Sequence, residues 1–268
     1  LAGDGHVPRT EKWGDLAVRM SSGAAMAVVG LITMWVGGLW FLGLLALLCG
    51  ALVWELVRML GGGPRRALML AAGAGTALLA ARLLPVGVGL PFILLPAIAG
   101  IGLLERNRTL YLIFTSLIVI AAYGLVVQRE DFGFIWMLWL ALIVIATDVF
   151  GYFAGRFLGG PKFWPRVSPK KTWSGTIAGW IAAGCVGAYF LRIPGVGPEV
   201  IGISIAISMA SQIGDIGESA MKRKMGVKDS SNLIPGHGGV FDRFDGMLGA
   251  SIFLLLIEQL VAFPPPVG

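Results

Sequence analysis

The sequence predicts an all-α, polytopic integral membrane bundle of about nine transmembrane helices, with the N-terminus on the cytoplasmic side. Three observations lead there. Hydrophobic residues fill 56% of the 268 positions and charged residues only 13%, with a mean hydropathy of +0.82. That balance is too apolar for the surface of a water-soluble fold. Apolar runs also recur at close to the roughly 20 helical residues that a hydrocarbon core about 30 Å thick requires. Basic residues then alternate from one connection to the next: with the N-terminus inside, only Arg82, Arg129 and Arg192 of the 21 Lys and Arg fall in outer loops. Losing one crossing would put later basic loops on the wrong side, so the bias supports both count and orientation.

The segments centre near residues 31, 48, 75, 95, 118, 142, 184, 206 and 254. Residues 23–60 are almost continuously apolar, and only the Gly37-Gly38 pair separates the first two segments. Arg65 and Arg66 precede the third and Arg82 ends it, Arg106 and Arg108 divide the fourth from the fifth, and Arg129 ends the fifth. The sixth ends at Asp148 in "IATDVFGY" and the eighth at Asp215 in "SQIGDIGES", so both carboxylates lie near one membrane face. Two long polar connections, residues 152–174 and 216–245, follow these aspartates, and loops carry function more often than stability. No soluble domain is left over. The chain reads as one membrane-embedded domain across 1–268, with helices of 23–130 as scaffold and 131–268 as the catalytic region. Residues 1–22 are polar and mixed in charge, unlike a secretory signal. Cys49 and Cys185 fall in apolar segments, as packing residues rather than a disulfide or metal site. The net charge of +6 belongs to the cytoplasmic face, where it attracts anionic membrane lipid; nucleic acid is not an expected partner, because no soluble basic domain could carry it.

In the eighth segment Ser204, Ser208, Ser211, Asp215, Glu218, Ser219 and Lys222 recur at steps of three and four, which places them on one helical face. Ionisable groups in a membrane segment face the bundle interior or a wet cavity. Packing through small residues accounts for the serines but not for Asp215, so the stripe is expected to line an opening. Asp148 has two readings, a functional carboxylate or the partner of a loop lysine. In the last polar connection Gly236, Gly238 and Gly239 permit the close backbone approach that phosphate oxygens require, although glycine with aspartate is also an ordinary turn. Asp242 and Asp245 are hard oxygen ligands of the kind Mg²⁺ accepts alongside water and phosphate. Lys222, Arg223, Lys228 and Arg243 supply countercharge. His237 alone is equally a hydrogen-bonding residue.

These residues resemble a known family, the phosphatidate cytidylyltransferases. The family's C-terminal motif is matched by Ser219, Met221, Lys222, Arg223, Lys228, Asp229, Ser231, Ile234, Pro235, His237, Gly238, Gly239, Val240, Asp242, Arg243 and Asp245, a spacing held over 27 residues. "TDVFGYFAGRFLG" with "SPKKTWSG" looks like its other cytoplasmic element, and "VWELVRM" near residue 55 resembles its early acidic position. Ser174 departs from the pattern where the family often has Glu, which leaves Ser168, Lys170, Lys171 and Thr172 as the better site candidates there.

The resemblance implies transfer of a cytidylyl group from CTP to phosphatidate, with Mg²⁺ and room for a second cation. Charge repulsion is the main obstacle in such a reaction, so metal, lysine and arginine are the groups it needs. Residue chemistry and family likeness together make Asp215 and Asp242 the first metal ligands, followed by Asp245, Asp229 and Asp148. Lys222, Arg223, Lys228, Lys170, Lys171 and Arg243 are assigned to phosphates and His237 to the leaving pyrophosphate. Ser219, Gly238 and Gly239 join the substrate contacts. The site is expected at the cytoplasmic face of the inner membrane, and a homodimer packed through Gly- and Ala-rich faces is the expected assembly. Two other readings stay open: a CTP-dependent polyprenol or phytol kinase, and an anionic-lipid transporter, against which stands the lack of an internal repeat.

Overall fold

A computed structural model describes residues 9–261 and Phe263, with side chains from residue 19 onward. Residues 1–8, 262 and 264–268 of the predicted domain lie outside the described residues, and the side chains of Arg9 and Lys12 in the predicted basic set lie outside the described side chains. The elements are α1 (Arg9–Val36), α2 (Gly38–Met59), α3 (Pro64–Leu83), α4 (Val86–Gly89), a 3₁₀ turn (Leu90–Leu94), α5 (Leu95–Leu103), α6 (Arg108–Asp131), α7 (Phe134–Phe157), β1 (Lys162–Trp164), β2 (Ser168–Thr172), α8 (Trp173–Phe190), α9 (Glu199–Lys224) and α10 (Phe241–Ile257). All nine predicted centres fall in helix, and the protein is an all-α polytopic membrane bundle. Among the described residues seven spans are long and apolar enough to cross a membrane: 19–36, α2, α3, 86–103, α6, α7 and α9. The two remaining predicted crossings are α8 and α10, of 18 and 17 residues.

The fourth span is one crossing in three pieces. Pro91 and Pro96 each sit in the first turn of a new piece, where a missing N–H costs nothing. Between α1 and α2 the chain turns at Gly37 and Gly38, with φ of 70° and 56°, in the left-handed region that side chains resist. The end of α6 locks that turn. Arg129 donates to the carbonyls of Met34 and Trp35, and Glu130 accepts from the Gly38 N–H at 2.8 Å. A cation therefore meets the C-terminal dipole of α1 and an anion the N-terminal dipole of α2.

The helices pack largely in chain order: α2 lies on α3, α7 on α8, α8 on α9 and α9 on α10, while α6 joins α2 to α10. Small residues set the closest crossings. A Cβ on Gly175 would run into the Gly151 carbonyl, and one on Gly249 would sit 3.0 Å from Cα of Gly214. Without an oil–water difference between helices in a bilayer, such close backbone packing is what holds them together. Fully buried Trp136 and Trp139 meet edge to face at 5.5 Å, and both contact Phe190 and Phe263. Ion pairs join connections predicted to share a side: Arg66 with Glu105 at 2.9 Å, and Arg82 with Asp131 at 3.2 Å. The Arg66 guanidinium holds the Glu105 carboxyl below its ordinary range.

Both long polar connections are shorter than the sequence suggests. Helix α7 continues through residue 157, because Gly151 and Gly155 face close neighbours in α8 and Thr172 and so are packing positions rather than breaks. Helix α9 continues to residue 224 through "ESAMKRK", a run of good helix formers with cations at its C-terminal end. What remains is an antiparallel hairpin, with Lys162 opposite Thr172 and Trp164 opposite Ser168, and the glycine-rich loop 225–240.

Candidate active site

Three helices and the hairpin surround a cavity of about 400 Å³. From α7 come Thr147, Asp148, Gly151, Tyr152, Gly155 and Arg156; β2 gives Lys170, Lys171 and Thr172, α8 gives Gly175 and Thr176, and α9 gives Gln212 and Asp215. Thr172 also caps α8, accepting from the Gly175 N–H at 3.2 Å. Ser174 contacts the Thr172 hydroxyl at 3.0 Å and donates to the Gly159 carbonyl, which pins the hairpin to the end of α7. The lysines of "SPKK" thus stand on a fixed strand beside a capped helix.

Inside the cavity Lys171 pairs with Asp215 at 2.6 Å, and Ser219 donates to the same carboxylate at 3.2 Å. Asp148 is repelled by Asp215 and attracted by Lys171 and Arg243, and Asp245 is repelled by both Asp215 and Asp148. Three acids therefore share one neighbourhood, and the loop lysine leans to Asp215.

A second polar cluster lies behind the glycine loop. Asp242, in the first turn of α10, accepts from the Ser230 N–H at 2.9 Å, the Ser230 hydroxyl at 2.9 Å and the Gly239 N–H at 2.8 Å. Its other oxygen takes Lys222 at 2.6 Å, and Lys222 also reaches Glu218 at 2.7 Å. Both oxygens of Asp242 are engaged before any cation arrives. Lys222, between two carboxylates, has little charge left to offer a phosphate.

Deeper still is Glu55 of α2, fully buried, whose carboxylate accepts from the Val240 and Phe241 N–H groups at 2.8 and 2.7 Å and from the hydroxyls of Ser230 and Ser231 at 3.1 and 2.5 Å. An anion at the N-terminus of α10 satisfies orphan donors and the helix dipole together. The glycines acquire a different neighbour from the one expected. A Cβ on Gly239 would fall on Ser230 Oγ and lie 2.7 Å from Glu55, and one on Gly238 would lie 3.0 Å from Asp242. Their room is filled by the protein's own carboxylates.

His237 faces α1, with Nδ1 2.9 Å from the Ser22 hydroxyl, while its carbonyl accepts from Arg243 at 2.9 and 3.1 Å. The Ser22 hydroxyl also faces the carbonyls of Arg19 and Pro235, so the set is satisfied when His237 donates from Nδ1. Ser168 closes the hairpin opposite Trp164, and Arg223, Lys228 and Asp229 are exposed; none of the four lines the cavity. The stripe on α9 divides. Ser204, Ser208 and Ser211 are buried, the first two bonded to Trp139 at 3.0 Å and Thr147 at 2.7 Å of α7, so they pack helices and line no opening. Gln212 and Asp215 alone of that face reach the cavity.

Arg156, Gln212, Glu55 and Ser230 were not among the predicted site residues. Gln212 carried a signal, standing three residues before Asp215 on one helical face. Glu55 carried its charge in an apolar run and the likeness of "VWELVRM" to the family's early acidic position, but neither named its partners, which lie 175–186 residues away.

Among the described residues no three or more His, Cys, Asp or Glu side chains converge into a metal cage. The donor set fits a different kind of cation site. Mg²⁺ takes one or two carboxylates and fills its other positions with water and substrate phosphates, and Asp148 and Asp215 open onto a cavity large enough for both.

Residues 17–261 match the cytidylyltransferase family. The chain belongs to the cytidylyltransferase family. Among similar members is the phosphatidate cytidylyltransferase of Brucella abortus biovar 1 (strain 9-941), 48% identical over 138 residues, covering 50% of this chain and 51% of that protein. The phosphatidate cytidylyltransferases of Rickettsia bellii (strain RML369-C) and Bacillus subtilis (strain 168) are 38% identical over 135 residues and 37% over 136. Those alignments cover 47% and 49% of this cytidylyltransferase-family chain and 58% and 50% of the relatives. The chain thus spans about half the length of the curated relatives it matches.

Proposed function

We propose that the protein transfers the cytidylyl group of CTP to phosphatidate, giving CDP-diacylglycerol and pyrophosphate, at the cytoplasmic face of the inner membrane. The observation that carries this reading is the polar cavity at the ends of otherwise apolar helices, where Lys171 pairs with Asp215 beside Asp148, Lys170 and Arg156. Family membership and the names of the relatives agree with it.

A phosphate oxygen of phosphatidate attacks the α-phosphorus of CTP, the bond to the bridging oxygen of the β-phosphate breaks, and pyrophosphate leaves with the electron pair. A phosphomonoester is largely dianionic near neutral pH, its second pKa being about 6, so no general base is needed. The residues must instead hold two anions together. Lys170, Lys171 and Arg156 offset that charge from two sides of the cavity, and Asp215 keeps Lys171 extended into it. Mg²⁺ held by Asp215 and Asp148, with Asp245 near, would supply further charge neutralisation. In this reading Lys222, Asp242 and the glycines fix the loop and residues 131–268 carry the chemistry. Glu55 reaches into the loop from the 23–130 scaffold.

The test is CTP labelled at either phosphorus, supplied with phosphatidate to purified protein. The α-label should enter the lipid with Mg²⁺ and fail to enter without it. Lipid carrying the γ-label would identify a kinase. No labelled lipid, with phosphatidate moving between leaflets, would identify a transporter.

A further inference from the structure

We propose that the β1–β2 hairpin is an interfacial element, which lies in the lipid headgroup layer at the end of α7 and takes anionic headgroups as its partner. This goes beyond the transfer reading, because it needs no turnover. The chain from 149 to 174 holds seven aromatic residues, five Lys or Arg and no Asp or Glu. Its apolar side chains are turned outward: Phe157 and Leu158 are 78% and 75% exposed, and Trp164 and Trp173 50% and 43%, surface that water penalises and lipid does not. Tyr152 meets Phe153 at 5.5 Å and Phe153 stacks on Phe157 at 6.1 Å, so an aromatic strip runs down the end of α7 to the hairpin. Phe163 against Trp173, at 4.7 Å, ties the hairpin to the start of α8.

Two postures are open to a hairpin tethered between α7 and α8. Standing upright, the three residues of β1 at about 3.3 Å each would carry Trp164 about 10 Å outward, past a headgroup layer about 5–7 Å deep. Lying down keeps it in the layer, where indole rings collect. Charge names the partner. Lys171 is committed to Asp215, which leaves Arg156, Lys162, Arg166 and Lys170 without a carboxylate partner among the described residues, and all four are exposed. Cations interleaved with aromatic rings, with no acid among them, fit an anionic lipid surface. A second copy packed face to face would instead set the same four cations against themselves. Tyr152 and Arg156, joined by a hydrogen bond of 3.1 Å, and Lys170 are exposed and also line the polar cavity. The lipid-facing strip and the cavity therefore share residues, and the hairpin's lipid contact borders the cavity.

The experiment puts a nitrobenzoxadiazole fluorophore on Pro165→Cys, at the exposed turn of the hairpin, in the intact Cys185→Ser chain, whose remaining Cys49 is buried. Nanodiscs of phosphatidylcholine and phosphatidylglycerol carry a doxyl quencher near the top of the acyl chain of one lipid or the other. Lipid-borne doxyl should quench the label strongly and aqueous iodide only weakly. The reverse would stand the hairpin upright in water and overturn the proposal. Doxyl-phosphatidylglycerol should quench about twofold more than doxyl-phosphatidylcholine at equal mole fraction, and Lys162→Glu with Arg166→Glu should bring that ratio to about one. Equal quenching by the two lipids before charge reversal would remove the anionic headgroup as partner and overturn the proposal too. So would a bis-maleimide cross-link between the Pro165→Cys positions of two copies with lipid quenching absent, which would make the hairpin a protein interface. None of these readouts depends on CTP, so a hairpin that behaves as expected on a protein making no CDP-lipid would sink the transfer reading alone.

Discussion

Glu55 places four hydrogen-bond donors on one buried carboxylate, each bond to a charged group worth about 1.5–3 kcal/mol. Glu55→Ala should therefore destabilise the protein by about 3 kcal/mol or more, read as a lower unfolding midpoint in detergent. Glu55→Gln keeps the shape but brings two amide hydrogens toward donors, and should recover only part of that loss. Asp215 behaves differently, because its partners are Lys171 and Ser219 at a wet cavity rather than a helix end. Asp215→Ala should abolish cytidylyl transfer while the unfolding midpoint moves by no more than about 1 kcal/mol, as for a partly exposed ion pair. Near-normal turnover in that variant would remove Asp215 from the site. The contrast explains what could be read in advance. Asp215 announced itself through a periodic polar face; Glu55 stood alone in "VWELVRM", and nothing local to it points to residues 230–241.

Elements were legible wherever apolar length alone decided them. The hairpin at Gly37 rested on two glycines, and the structure adds the Arg129 and Glu130 contacts that close it from a distant helix. The ends of α7 and α9 were misjudged for one reason: glycine and charge mark loops in soluble chains, but here they also mark close crossings and the emergence of a helix into water. Gly249 tests this. Its Cβ would meet Gly214 and the α9 backbone at Ala210, so Gly249→Leu should force α9 and α10 apart and cost upward of about 3 kcal/mol, with reduced recovery from membranes. Gly202, whose Cβ would meet nothing within 4 Å, is the control: Gly202→Ala should be neutral or stabilise by up to about 1 kcal/mol. Thr172→Ala removes the cap of α8 and should cost about 1 kcal/mol, together with activity, since the cap also fixes Lys171.

At the scale of the molecule, every ion pair among the described residues that links separate polar segments joins segments expected on one side, as nine alternating crossings require. Impermeant maleimide added to intact cells should label Pro194→Cys and leave Arg106→Cys unlabelled until lysis; the opposite pattern would invert the orientation. The buried carboxylate of α2 also bears on how the bundle is made. Helices enter a bilayer as they leave the ribosome, and the N–H groups that Glu55 receives arrive 185 and 186 residues later. Until then an acid sits in a half-built bundle without its partners, an expensive condition in lipid. Docking of the last helix relieves it and sets the glycine loop at the same moment. The same bonds tie α2 to the start of α10, so the glycine loop takes its shape only once both helices are in place.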